Sequence, residues 1–183
     1  MSDINVSDAN FPIRIESSLA DDLLIESVSG EERMGRLFVF QFELLSGNNE
    51  LHFDKVVGQK VTAILVLENG ERFFHGYITE FRYAGSRNDF ARYHATVRPW
   101  LWFLTRTQDC RIFQNQKIPD VIMSVFSDNG MTDVVNKLSE SYRQWDYCVQ
   151  YRETDFEFVS RLMEQEGIYY YFEHTEDKHV LVL

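Results

Sequence analysis

The chain has 183 residues, 44% of them hydrophobic and 26% charged, a balance that fits a folded domain with a sizeable core and excludes a disordered segment. Its formal charge of −11 is spread over the chain, −5 in residues 1–100 and −6 in residues 101–183; such a surface repels phosphate backbones and anionic lipid and argues against nucleic-acid and membrane-surface roles. No apolar run reaches the roughly 18 residues of a bilayer span, and an aromatic content of 15%, with 15 Phe and 9 Tyr, points to wide β-surfaces rather than a helix bundle.

Residues Met1 to Asn10 are polar and acidic and lack both a basic n-region and an apolar h-region, so the general secretory route is not indicated and folding is expected in the cytoplasm. Three runs rich in Ile, Val, Leu and Phe follow, at 12–17, 23–33 and 37–45, and each predicts a strand. In the third, Phe38, Phe40 and Phe42 share one face and Leu37, Val39 and Gln41 the other. The stretch 46–49 (SGNN) ends it with turn chemistry. A hairpin is expected around Asn69 and Gly70, between strands at 61–68 and 71–83, because Asn-Gly supplies the positive φ angles of a type I′ turn. Gly76 predicts a bulge or bend in the return strand. After a loop at 85–89, a sixth strand is expected over 90–98. Six short strands separated by turns predict a small antiparallel barrel or sandwich.

Beyond Pro99 the pattern changes. Pro119 opens a helix that carries Val121, Ile122, Val125 and Phe126 on one stripe and stops at Asn129 and Gly130. A second helix begins with Thr154 and Glu157 as a capping box, carries Phe156, Val159, Leu162 and Met163, and ends at Gly167. Segments 167–174 and 178–183 predict a hairpin across 175–177. The chain then stops on a strand, an ending expected of a fragment. The fold class is therefore α+β and mainly β, with a β-barrel over residues 1–100 and an α+β domain with two helices over 101–183.

Residue chemistry points away from catalysis. His52, His75, His94, His174 and His179 stand in no ligand spacing, although His174 and His179 are placed to face each other across the last hairpin. No phosphate-binding glycine loop and no G-x-S-x-G elbow occurs. The carboxylate pairs Glu164 and Glu166, and Asp21 and Asp22, sit in polar runs and are read as solvated faces. Arg152, Glu153 and Asp155 are expected to form a structural ion-pair network at the second helix. In the run from Tyr169 to Phe172, strand alternation predicts one core face and one contact face, in preference to a sugar-stacking platform. Cys110 and Cys148 are read as two buried thiols rather than a disulfide. No catalytic, cofactor-binding or metal-ligating residue is assigned. Glycan hydrolysis, the competing enzymatic reading, finds no motif to carry it.

Three stretches carry a resemblance: DYCVQYRETDFEFVSRLMEQEGIYYYFEH (146–174), FFHGYIT (73–79) and RPWLWFLTRTQDCRIFQNQKIPDVI (98–122). They resemble the VgrG family of type VI secretion spike proteins, with the first 60 residues matching more loosely. The resemblance implies a phage hub-like fold, in which residues 1–100 are a tail-tube-like barrel and 101–183 the incomplete start of an inserted α+β domain. It implies a structural, non-enzymatic role without cofactors, in a homotrimer of VgrG chains that joins the hexameric Hcp tube to a puncturing needle. Baseplate proteins and effector proteins are the further partners it implies, and the localisation it implies is cytoplasmic before firing and secreted afterwards. A phage or prophage tail hub is the alternative within the same architecture. A chain holding only one such barrel is expected to be a monomer or a loose oligomer, and to expose apolar and aromatic surface, including part of the hairpin at 168–183, that a further half would cover.

Overall fold

The computed structural model describes residues 12–17, 23–48 and 51–183. Part of the turn expected at 46–49 and the carboxylates Asp21 and Asp22 lie outside the described residues, as does the stretch from Met1 to Asn10. The chain divides into two compact units. The first comprises residues up to Glu31, Val39–Arg98 and His174–Asp177, and the second Glu32–Phe38, Pro99–Glu173 and Lys178–Leu183. Neither is continuous in sequence.

The first unit is one antiparallel sheet of six strands: β1 (Ile13–Ser17), β2 (Leu24–Glu31), β3 (Val39–Ser46), β4 (Lys60–Leu67), β5 (Gly70–Arg87) and β6 (Phe90–Arg98), in the order β1-β4-β5-β6-β3-β2. The geometry that curls it lies in β5, which has 18 residues. Its first part, from Gly70 to Tyr77, pairs with β4, and from Tyr77 onward it pairs with β6. One strand serving two neighbours in succession is the stagger that turns a sheet into a curled half-barrel. Gly76, expected to mark a bulge, instead pairs in register with Val61 beside this hand-over. The bulges fall later, at Thr79 and at Ala84–Gly85, where β5 has extra residues against β6. The first is pinned by hydrogen bonds, because the Thr79 hydroxyl donates to the Thr96 carbonyl at 3.1 Å and accepts from Arg98 at 2.7 Å.

Period-two alternation gives the unit its core. Phe40, Phe42 and Leu44 of β3 are buried against Tyr93, Ala95 and Val97 of β6, while Gln41 is exposed. Phe38 continues the same parity but belongs to the other unit, because β3 begins only at Val39. A short helix, α1 (Phe53–Val56), was not signalled by the sequence. The Asn69–Gly70 hairpin is present with its turn one residue earlier: Leu67 pairs with Gly70, so Glu68 and Asn69 form the loop. Among the described residues Asn69 has no positive φ, which rules out the type I′ geometry, and the positive φ of 139° falls on Gly70 alone. Residues 86 and 87, expected in the following loop, extend β5 instead.

The second unit is built on a long antiparallel ribbon whose strands carry no clear signal in the sequence. Its strands are β7 (Gln108–Lys117) and β9 (Gln144–Thr154). Around it lie a 3-10 helix (Trp100–Thr105), the helices α2 (Ile118–Asp128) and α3 (Asp155–Glu166), and a small sheet of β8 (Val134–Val135), β10 (Tyr171–His174) and β11 (His179–Val182). The ribbon was missed because its alternation mixes Gln, Arg, Asp and Asn with single apolar residues, which blurs the period. Helix α2 has Pro119 in its first turn and buries Val121, Ile122, Val125 and Phe126. In α3 the capping box forms as expected. The Thr154 hydroxyl accepts from the Glu157 amide at 3.1 Å, and the Glu157 carboxylate accepts from the Thr154 amide at 2.9 Å. Gly167 at φ 70° then closes the helix, with the Ile168 amide donating to the Met163 carbonyl at 2.8 Å. The α3 stripe is shifted, since Phe158 rather than Phe156 is fully buried, stacked on Phe113 with ring centres 5.7 Å apart.

Gly70 offers a direct check of the first unit's hairpin. A Cβ there meets nothing within 4 Å, so only its backbone angle opposes substitution. Gly70→Val is expected to lower stability by about 1–3 kcal/mol through strain alone; an unchanged denaturant midpoint counts against this turn.

Candidate interaction surface

The centre of the second unit is a buried carboxylate. Asp155, the first residue of α3, is only 3% exposed. It accepts from the Thr107 hydroxyl at 2.7 Å, from the Gln150 amide at 2.8 Å, from the Asn129 amide at 3.1 Å, and from the Arg111 guanidinium. Arg111 also donates to the Gln150 side chain at 2.9 Å and to Asp128 at 3.2 Å. Burial on its own pushes the Asp155 carboxyl up; the donors Thr107, Gln150 and Asn129, with the Arg111 charge, outweigh it and hold the group below its ordinary range. Every acceptor position on Asp155 is thus directed at its own scaffold, and the group is positioned for structure rather than for proton transfer.

The expected network of Arg152, Glu153 and Asp155 is accordingly rearranged. Asp155 pairs with Arg111 of β7, Glu153 pairs with Arg161 of α3 at 2.7 Å, and Arg152 lies over the Tyr151 ring. Sequence proximity misled here because Arg152 is the extra residue of a bulge, at φ 52°, where β9 slips against β7 between Asp109 and Cys110.

The histidines are held separately. His174 Nδ1 accepts from the His75 backbone amide at 3.1 Å in the first unit, and His179 Nε2 accepts from the Trp100 amide at 2.9 Å in the second. Among the described residues no group of three or more His, Cys, Asp and Glu could hold a metal ion. Nor is any helix among them long and apolar enough to cross a membrane. Glu166 accepts from the Trp145 indole at 3.1 Å, whereas Glu164 is exposed.

The Tyr-rich strand alternates as expected. Tyr170 and Phe172 are buried, and burial pushes the Tyr170 hydroxyl up to about 12. Tyr169 is exposed and Tyr171 half-buried on the opposite face. Together with Tyr142, Lys137 and Leu183 they line a cleft of about 290 Å³. Along 168–183, where apolar and aromatic exposure is expected in part, Tyr169 is 60% exposed while Ile168, Leu181, Val182 and Leu183 are buried. A further group of exposed apolar side chains lies on the outer face of the ribbon. Ile112, Tyr147 and Tyr151 stand out there at 60%, 53% and 65% exposure, with Cys110, Gln114 and Val149 between them. Cys110 thus corrects the reading of two buried thiols; only Cys148 is buried, both are free, and burial pushes the Cys148 thiol up.

The chain belongs to the phage tail baseplate hub (GPD) family, whose model matches residues 31–183. It is 50% identical over 173 residues to the type VI secretion system spike protein VgrG1b of Pseudomonas aeruginosa, and 47% identical over 173 residues to VgrG1a of the same organism. These alignments cover 93% of this chain but 23% and 27% of the two relatives, so the chain spans about a quarter of their length. Among solved structures, the E. coli c3393 protein superposes with a TM-score of 0.83 at 25% identity, over 92% of this chain and 48% of that one. It is described as a component of the type VI secretion system with structural similarity to the T4 tail proteins gp27 and gp5. A tail protein of Neisseria meningitidis shares the fold with a TM-score of 0.61 at 12% identity, over 93% of this chain and 50% of that one.

Two outcomes follow from this geometry. Asp155→Asn removes the buried countercharge of Arg111, leaving it the more exposed Asp128 and Asp109, and sets an amide donor against the donors that converge there; it is expected to cost about 2–4 kcal/mol. Because the folded Asp155 carboxyl sits below its unfolded value of about 4, its stabilisation is complete above that pH and disappears as pH falls through the lower folded value. Urea melts of both chains from pH 7 to pH 2 should therefore converge at the acid end, and parallel curves would exclude the network as the cause. Alkylation of the native chain should modify Cys110 only, with Cys148 reacting after denaturation; native labelling of both thiols is incompatible with the ribbon as described.

Proposed function

We propose that this chain is the hub region of a type VI secretion spike. In the full-length protein, three copies would form the base that joins the Hcp tube to the puncturing needle, in contact with baseplate proteins, and help deliver effectors. The observation that carries this reading is the 50% identity with VgrG1b over 173 residues, supported by the match to the c3393 protein. Within this reading, residues 1–100 act as the tail-tube-like barrel and 101–183 as the start of the inserted α+β domain. Three subunits meet a sixfold ring only if each presents two similar barrels, so the second barrel belongs to the remainder of the longer spike. The chain contributes architecture and no catalysis, as in a family of structural hub proteins. It assembles in the cytoplasm and leaves the cell when the system fires. The tail-protein likeness at 12% identity speaks to a common fold and not to a shared role.

Deletion of the gene encoding this chain from its own host is expected to abolish release of the Hcp tube protein into the medium, with release restored by the full-length gene in trans. Undiminished tube release, in a strain with no second spike gene, rules the proposal out.

A further inference from the structure

Strand β11 is the middle strand of the small sheet in the second unit, with β10 on one side and β8 on the other. On the β8 side it pairs in parallel, Leu181 with Val134 and Val182 with Val135. The ladder has a two-residue rhythm. The Leu181 amide donates to the Asp133 carbonyl at 2.9 Å, the Leu183 amide donates to the Val135 carbonyl at 3.0 Å, and the Lys137 amide donates to the Leu183 carbonyl at 3.0 Å. Pairing therefore runs past the end of β8 at Val135 and is still in step at Leu183. Bonds in a parallel ladder are evenly spaced, so the next of this series takes the Lys137 carbonyl. Among the described residues no donor occupies that carbonyl.

The cleft of about 290 Å³ lies on the same line. Leu138, Ser139 and Glu140, which follow Lys137, line it on one side; Gly167, Ile168 and Tyr169, which precede β10, line it on the other. Val182 and Leu183 line its near end. The cleft thus prolongs the lane that β11 occupies between its two neighbours. Covalent reach selects the occupant. Consecutive residues of a strand advance about 3.3 Å, so polypeptide joined to Leu183 enters this cleft within one or two residues. A second copy or an unrelated segment could lie there only by displacing it. The relatives that match this chain hold about three quarters of their length outside the match.

We propose that in the longer spike the residues directly after Leu183 extend β11 through this cleft as the middle strand of the sheet. The amide of the second residue past Leu183 would donate to the Lys137 carbonyl. The register that pairs Leu181 with Val134 sets that residue opposite Leu138. The added strand would also cover part of the exposed ring of Tyr169. The link from this region to the rest of the spike then leaves as a hydrogen-bonded strand and not as a free linker, so that load passes between them through backbone bonds. This inference rests on the reading of the chain as the hub region of a longer spike. Tube release decides that reading, and the path of the chain after Leu183 is decided separately.

Amide hydrogen exchange on the full-length spike, read residue by residue, is the first test. The amide of the second residue past Leu183 should exchange at least about tenfold more slowly than the same amide in an unstructured peptide, as the bonded Leu183 amide does. Cross-linking is the second. Leu138→Cys is combined with a cysteine at the second position past Leu183, and Cys110→Ser removes the exposed thiol. Neighbouring strands hold paired Cα atoms about 5 Å apart, within the span of a disulfide, so mild oxidation should join the two cysteines within one chain. Glu140→Cys in place of Leu138→Cys should give about a tenth of that yield or less, because it lies two residues out of register. Fast exchange at the tested amide, a cross-link that joins two chains, or equal yields from Leu138→Cys and Glu140→Cys would each overturn the proposal.

Discussion

The carboxylate of Asp155 gathers four donors that arrive from separate parts of the second unit: Thr107 ahead of β7, Arg111 within it, Asn129 after α2 and Gln150 on β9. A charge in a low-dielectric interior is costly unless every lone pair is met. Once it is met, the bonds also specify the arrangement, because each donor reaches Asp155 only when its own element is in register. The ribbon register, the end of α2 and the start of α3 are thereby set by one group. Its backbone amide joins them, donating to the Thr107 carbonyl at 3.0 Å.

This node works together with the capping box on the same turn of helix. Thr154 and Glu157 satisfy the exposed amides of the first turn, and Asp155, between them, points inward. The helix start is thus held from both sides, with polar satisfaction outside and an ion pair within. Acidic residues at this end also suit the partial positive charge of a helix N-terminus. The first unit depends on backbone geometry instead. Its curvature comes from a strand that changes partners at Tyr77 and from two bulges on β5, with no buried ion pair at the hand-over among the described residues.

His174 and His179 accept from backbone amides and Glu166 accepts from an indole, so these three side chains are engaged by the fold itself. Tyr147 and Tyr151 stay exposed on the ribbon, and aromatic side chains of this kind are enriched where proteins recognise one another.

Local signals in the sequence determined the elements whose cause is local. The capping box at Thr154, the stop at Gly167, the α2 stripe and the strands of the first unit all follow from hydrogen-bonding chemistry or apolar period within a few residues. The hub-family resemblance was legible for the same reason, in runs of residues such as 146–174. Tertiary structure alone decided the rest. The pairing of β7 with β9 joins segments separated by α2 and carries no clear alternation, so only their mutual burial of Phe113, Cys148 and Gln150 makes them strands. Arg111 rather than Arg152 became the partner of Asp155 because a one-residue bulge turns Arg152 outward, and register across a ladder is not visible along one chain.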